Sequence, residues 1–74
     1  MLFRDLAVVT YAQGFTLWTY HCDDLEEALA PNYFLSACDM LRENDLMIIR
    51  AKRGVAQRYV AHCTEASVVL EKLL

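Results

Sequence analysis

The sequence is poor in the residues that mark several common classes of protein. Its 74 residues include two glycines and one proline, too few for a collagen-like or Pro/Gly-rich disordered chain. No apolar run approaches the roughly 20 residues of a membrane-spanning helix. The first dozen residues lack a basic leader and a small-residue cleavage site, so we expect no signal peptide. We predict a single domain over residues 1–74, with no membrane partner.

Basic residues are not in excess. Seven Lys and Arg against ten Asp and Glu give a formal net charge of −3. Proteins that bind nucleic acids through the phosphates have a basic surface instead. We therefore expect no nucleic-acid partner.

The three cysteines, Cys22, Cys38 and Cys63, are odd in number and widely spaced, unlike a disulfide framework. The dipeptides His21-Cys22 and His62-Cys63 supply ligand types that zinc prefers. Adjacent residues on a strand point to opposite faces, however, so each dipeptide offers one ligand to a common ion. No glycine-bearing turn or orienting side chain marks a Cys-His nucleophile. We predict no metal, no cofactor, no catalytic residue and no small-molecule substrate, and hence no enzyme.

The sequence does have a surplus of apolar residues. They make up 57% of the chain, against about 45–50% in ordinary domains. A domain this small has too little interior to hide them all. We therefore predict a homo-oligomer, with a trimer favoured, or another partner that covers part of the apolar surface.

Hydrophobic alternation predicts four or five strands, at residues 7–11, 15–22, 46–51, 57–64 and 68–70. Asp23 or Asp24 caps a short helix that Pro31 ends, and residues 33–41 form a second helical stretch. The acidic residues around this cap fit a helix N-terminus better than a cation site. Lys52 and Arg53 form a hairpin turn, in which we expect Gly54 to have a positive φ. The predicted fold is α+β: a small, mostly antiparallel sheet with one broken helical segment, residues 24–41, packed on one face. The expected core residues are Val8, Leu17, Phe34, Ala37, Cys38, Leu41, Met47, Ile49, Tyr59 and Val69.

Two groups of residues are candidates for an interface. Neither face of the strand at 15–22 is plainly polar, so Trp18 and Tyr20 belong either to the core or to a protein contact. A basic group surrounds the hairpin turn, and it is either a charged tip that discourages aggregation or a docking patch for an acidic partner. Its members are Arg50, Lys52, Arg53 and Arg58.

The order of several residues between about 15 and 50 resembles a family of small, uncharacterised proteins encoded by tailed bacteriophages and prophages. Members of that family have a strand ending in Tyr, a Gly-Tyr-Phe-x-x-Ala-like helix and a Leu-x-x-Gly-Asp-x-Ile-like strand. The matching elements here are Trp18-x-Tyr20, Asp23-Asp24, Asn32-Tyr33-Phe34-x-x-Ala37 and Leu41-x-x-x-Asp45-Leu46-x-Ile48. Asn32 and Asn44 stand where the family usually has Gly. Asn is the residue that best replaces Gly in a left-handed conformation.

The resemblance implies a non-enzymatic virion-associated protein: a head decoration, the base of a head fibre or a tail-associated component. Its partners would be copies of itself and capsid, fibre or tail proteins, and its location the virion, after synthesis in the host cytoplasm. The alternative is a small intracellular regulatory protein, from phage or host, that binds an acidic partner through the basic hairpin tip.

Overall fold

The computed structural model describes residues 1–73, and five strands form a single sheet in the order β1-β2-β3-β4-β5. Every neighbouring pair is antiparallel except β2 and β3, which are parallel. The sheet with one short helix confirms the predicted mostly antiparallel α+β fold. The strands are β1 Leu6–Ala12, β2 Phe15–His21, β3 Leu46–Ala51, β4 Gly54–Cys63 and β5 Val68–Lys72.

The chain between β2 and β3 crosses one face of the sheet, because a parallel pair needs a connection that returns to the starting end. This crossover, residues 22–45, begins with the helix α1, Leu25–Ala28. Asp24 is its N-cap, and the Asp24 carboxylate accepts a hydrogen bond from the Glu26 amide at 3.0 Å. The crossover covers the central strands, and among residues 1–73 no element covers the opposite face of the sheet.

The second helical stretch is looser than the prediction for residues 33–41. It contains turns and one 3-10 turn, Leu35–Ala37, whose hydrogen bonds span three residues. Phe34, Ala37 and Leu41 are nevertheless buried against the sheet. An apolar spacing of three and four fits consecutive tight turns as well as an α-helix. The pattern therefore identified the packing face but not the hydrogen bonding.

Two asparagines have positive φ values, Asn32 at 61° and Asn44 at 76°, and no other non-glycine residue among 1–73 does. These are the two positions at which the sequence has Asn in place of the family's usual Gly. The expected left-handed conformation is confirmed at both. The family relationship itself stays a prediction.

The core lies between the crossover and the covered face of the sheet. Its largest fully buried side chains are Tyr20, Phe34, Met47, Ile49 and Val60. Five expected core residues are confirmed as buried and Cys38 packs against them. The confirmed five are Phe34, Ala37, Leu41, Met47 and Ile49.

Leu17 and Tyr59, also expected in the core, lie on the other face. Both are register partners of Leu46, which neighbours Met47 and so points away from the core. Trp18 and Val60 occupy the core in their place.

Val8 and Val69 are 38% exposed, so their expected burial is wrong as well. Val8 faces the covered side opposite Trp18 but lies on the edge strand, where the side chain keeps contact with solvent. In β5 the register places Val69 opposite His62 and Val68 opposite Cys63, and Val68 is the buried residue.

The turn glycines differ from each other. Gly14 has φ of 90° and makes the turn between β1 and β2. Gly54, expected to have a positive φ, does not have one and is the first residue of β4. A Cβ at Gly54 would stand 3.2 Å from Cδ2 of Leu25. Close packing of α1 therefore explains this glycine better than turn geometry does.

Candidate interaction surfaces

The face of the sheet opposite the crossover is called the open face here. Alternation and register assign its members from all five strands. From β1 and β2 these are Ala7, Thr10, Ala12, Phe15, Leu17, Thr19 and His21. From β3, β4 and β5 they are Leu46, Ile48, Arg50, Val55, Gln57, Tyr59, His62, Val69 and Glu71.

The centre of the open face is uncharged and largely apolar. Five large side chains there are partly exposed, and none belongs to the residues that pack against the core. Three of them form one row across the sheet, since Leu17 neighbours Leu46 and Leu46 neighbours Tyr59, and Ile48 lies in the next row between two uncharged polar side chains. Side chains in such rows contact one another, which explains why they are only partly exposed. These five are Phe15, Leu17, Leu46, Ile48 and Tyr59.

Charged groups lie at the margins of the open face. Arg50 neighbours His21 at the end where β2 and β3 finish. Glu71 lies on the edge strand β5 and accepts a hydrogen bond from the Tyr59 hydroxyl at 3.0 Å. Both side chains are exposed to solvent and lie outside the apolar centre.

A second apolar surface borders β1. Val9 is 54% exposed and Tyr11 77% exposed. A groove of about 780 Å³ runs along the covered side of this strand, between Val8, Tyr11 and Met40. Val9 is a β-bulge, because Val8 pairs with Trp18 whereas Thr10 pairs with Leu17. The bulge reverses the alternation of side chains halfway along the strand.

Asp45 forms part of the wall of this groove and is only 3% exposed. Its carboxylate accepts three N–H hydrogen bonds: from the Thr16 amide at 3.0 Å, the Trp18 indole at 3.0 Å and the Arg42 amide at 3.1 Å. These bonds join β2 to the end of the crossover. Sequence reasoning did not single out Asp45 as a functional residue, although both Trp18 and Asp45 stand in the matched motif. The geometry assigns it a structural role.

Trp18 and Tyr20 lie in the core and not at an interface. Their side chains are 6% and 1% exposed. Tyr20 packs edge to face against Phe34, with ring centroids 5.0 Å apart, and its hydroxyl lies 2.9 Å from that of Tyr33. Burial, together with this hydrogen bond, raises the pKa of Tyr33. Neither of the two residues offers a partner an accessible surface.

The structure separates the four basic residues proposed as one patch. Arg50 lies on the open face, whereas Arg58 lies on the covered side opposite Met47 and donates to the Gln57 carbonyl at 2.8 Å. Only Lys52 and Arg53 form the turn itself. They share a shallow cleft with acidic residues of the α1 N-terminus, which offset their charge locally. The acidic residues in that cleft are Asp23, Asp24 and Glu26.

The histidines and cysteines do not converge. His21 lies at one end of the sheet and His62 at the other, as their register partners Arg50 and Val69 show. Within residues 1–73 no three His, Cys, Asp or Glu side chains are grouped to hold a metal ion. The Cys63 thiol donates to the carbonyls of Leu41 at 3.3 Å and Cys38 at 3.4 Å.

The thiols have raised pKa values. Burial is the main cause at Cys22, Cys38 and Cys63, and neighbouring acidic side chains contribute further. A raised pKa keeps a thiol protonated at neutral pH, and the protonated form is neither a strong nucleophile nor a metal ligand.

No protein-family model matches the chain, and neither a curated protein nor a solved structure was found to match it. Over the described residues, no helix is long and apolar enough to cross a membrane.

Proposed function

We propose that this chain is a non-enzymatic assembly subunit that self-associates through the open face and docks on a larger protein assembly in the associated form. One observation carries the proposal. The centre of the sheet presents partly exposed apolar side chains that no element of the described chain covers. Contiguous apolar patches of several hundred Å² on a small protein are typical of protein contacts.

The location of the polar groups supports a protein partner. A small-molecule site is usually a concave pocket with a few convergent polar groups. The open face is a sheet surface whose two charged side chains, Arg50 and Glu71, lie at opposite margins. An apolar centre with a polar rim is the arrangement of a protein interface.

The sequence resemblance supports a virion as the setting. We propose a head decoration, a head-fibre base or a tail-associated component, with capsid, fibre or tail proteins as partners. The alternative, a regulatory protein that binds an acidic partner through the hairpin tip, is weakened by the acidic residues beside Lys52 and Arg53.

Sedimentation of particles tests the proposal. A tagged copy of the chain is produced in cells in which phage particles are assembling, and purified particles are probed for the tag. We expect the unmodified chain and Tyr11→Lys to co-sediment with particles, because Tyr11 is exposed on the covered side of β1. Ile48→Lys should be lost from them, because a charge at the centre of the open face opposes the self-association on which docking depends.

Absence of the unmodified chain from the particles would refute the virion setting. Retention of Ile48→Lys would refute the open face as the contact. The double variant Arg50→Glu/Arg53→Glu addresses the alternative. Loss of a soluble acidic partner by this variant, with no particle association in any form of the chain, would favour regulation.

A further inference from the structure

We infer that the open face is covered by the open face of a second copy, in a two-fold, sheet-on-sheet dimer. This inference rests on the proposed contact surface and names its partner. Two sheets that pack face to face lie about 10 Å apart, and their apolar side chains interdigitate. The open face has the apolar centre that such packing requires.

The open face is compatible with a copy of itself because its centre carries no charge. Placing identical faces together therefore brings no like charges into contact at the centre. Arg50 lies at one end of the face, where β3 finishes. A two-fold axis running across the strands would put the two Arg50 side chains at opposite ends of the dimer. An axis along the strands would bring them together, which is unfavourable.

The area of the open face can be compared with the area that a specific dimer buries. Five strands about 4.8 Å apart span about 24 Å, and about six residues of each strand span about 20 Å. The face is thus about 500 Å² per copy, and a pair would bury about 1,000 Å². That is the lower limit for a specific interface, so we expect a weak dimer that dissociates on dilution.

The edges of the sheet are poorer routes to self-association. The bulge at Val9 reverses side-chain alternation in β1, so a regular partner strand could pair with only about half of it. The other edge strand, β5, carries Glu71 and Lys72, and charged side chains on an edge oppose pairing with a further strand. The open face remains as the larger continuous surface.

The sequence favoured a trimer, whereas a single self-complementary face predicts an assembly of two copies. A self-complementary face is fully covered by a single partner, so the assembly closes at two copies. A trimer would need two different patches that fit each other. The mass in solution separates these two outcomes.

Sedimentation equilibrium between about 1 and 500 µM tests the inference on the full chain. We expect the average mass to rise from 8.5 kDa toward twice that value. Thr19→Lys should weaken association at least tenfold, since Thr19 neighbours Ile48 at the centre of the face. Tyr11→Lys, the control at an exposed position on the covered side of β1, should associate like the unmodified chain.

Far-UV circular dichroism checks that each variant is folded. If Thr19→Lys does not fold, Ile48→Thr reduces the apolar area without adding charge and should weaken association about threefold. A monomer at 500 µM, a mass three times that of the chain, or equal effects of Thr19→Lys and Tyr11→Lys would overturn the dimer. If the chain is monomeric while Ile48→Lys still loses particle binding, the open face contacts the particle directly. Docking on a larger assembly then stands, whereas self-association and the dimer do not.

Discussion

At the scale of single residues, the structure explains why two asparagines occupy turns in which glycine is the usual choice. Asn32 and Asn44 both have positive φ, a conformation that costs most L-residues about 1 kcal/mol or more. The Asn44 amide also donates to the Val60 carbonyl at 2.8 Å. The turn at Asn44 is thus bound to β4 just before β3 begins, and its conformation affects how β3 and β4 align.

The first prediction concerns Asn44. Asn44→Ala should destabilise the fold by about 1 kcal/mol, because alanine tolerates positive φ poorly. Asn44→Gly should change stability by less than about 0.5 kcal/mol. Urea unfolding monitored by circular dichroism measures both. Equal stability of the two variants would show that backbone conformation does not decide the residue at this position.

Asp45 is the second prediction at this scale. Asp45→Asn should destabilise the fold by about 2 kcal/mol, because its amide group would turn a donor toward N–H groups that need an acceptor. A domain of this size has about 5 kcal/mol in total, so the loss is large. Fluorescence of Trp18, the single tryptophan, reports unfolding. Asp39→Asn, at an exposed site in the same crossover, should have little effect; equal effects of the two variants would contradict a buried role for Asp45.

At the scale of elements, the crossover organises the sheet around it. Its first turns pack on β3 and β4, and its end is bound to β2 through Asp45. It also holds the start of β5, because the Asn32 carboxamide oxygen accepts from the Val68 amide at 3.0 Å and the Ser67 hydroxyl at 3.1 Å. A strand distant in sequence is positioned by this one side chain.

The Asn32 contact gives the third prediction. Asn32→Gly keeps the positive φ but removes both hydrogen bonds to the start of β5. We expect a loss of about 1 kcal/mol and faster hydrogen exchange at the Val68 amide. Asn44→Gly, which changes the other left-handed turn, is the control and should leave Val68 exchange unchanged. Unchanged exchange in Asn32→Gly would show that β5 is held by strand pairing alone.

At the scale of the whole molecule, a single layer covers one face of the sheet, and this explains the apolar surplus. The chain is 57% hydrophobic, and the covered face alone does not account for it. Apolar side chains are divided between a packed core, the open face and the β1 border. A dimer through the open face would bury the apolar side chains of that face between the two copies.

The fourth prediction follows from that division. If the open face is covered by a second copy, association stabilises the folded chain, and its thermal midpoint depends on concentration. We expect a rise of about 5 °C over a hundredfold increase in protein concentration. Thr19→Lys should show a concentration-independent midpoint. A constant midpoint in the unmodified chain would mean that folding and association are not linked.

The sequence by itself determined the fold class and most strand positions, whereas the left-handed conformation at Asn32 and Asn44 was expected from the resemblance to a family with Gly at both positions. Alternation and turn chemistry are local properties, so they can be read from neighbouring residues. The strand β3, Leu46–Ala51, has the predicted bounds. The spacing of Phe34, Ala37 and Leu41 likewise identified the buried side of the crossover without knowledge of the sheet.

Only the tertiary structure decided which face of each strand is covered. Both faces of β2 are semi-apolar, so alternation could not distinguish Trp18 from Leu17. Register with β3, and the side on which the crossover lies, made Trp18 a core residue and Leu17 part of the open face. The same is true of Asp45, whose three donors come from segments up to 29 residues away. Such contacts depend on the path of the whole chain, which no local pattern encodes.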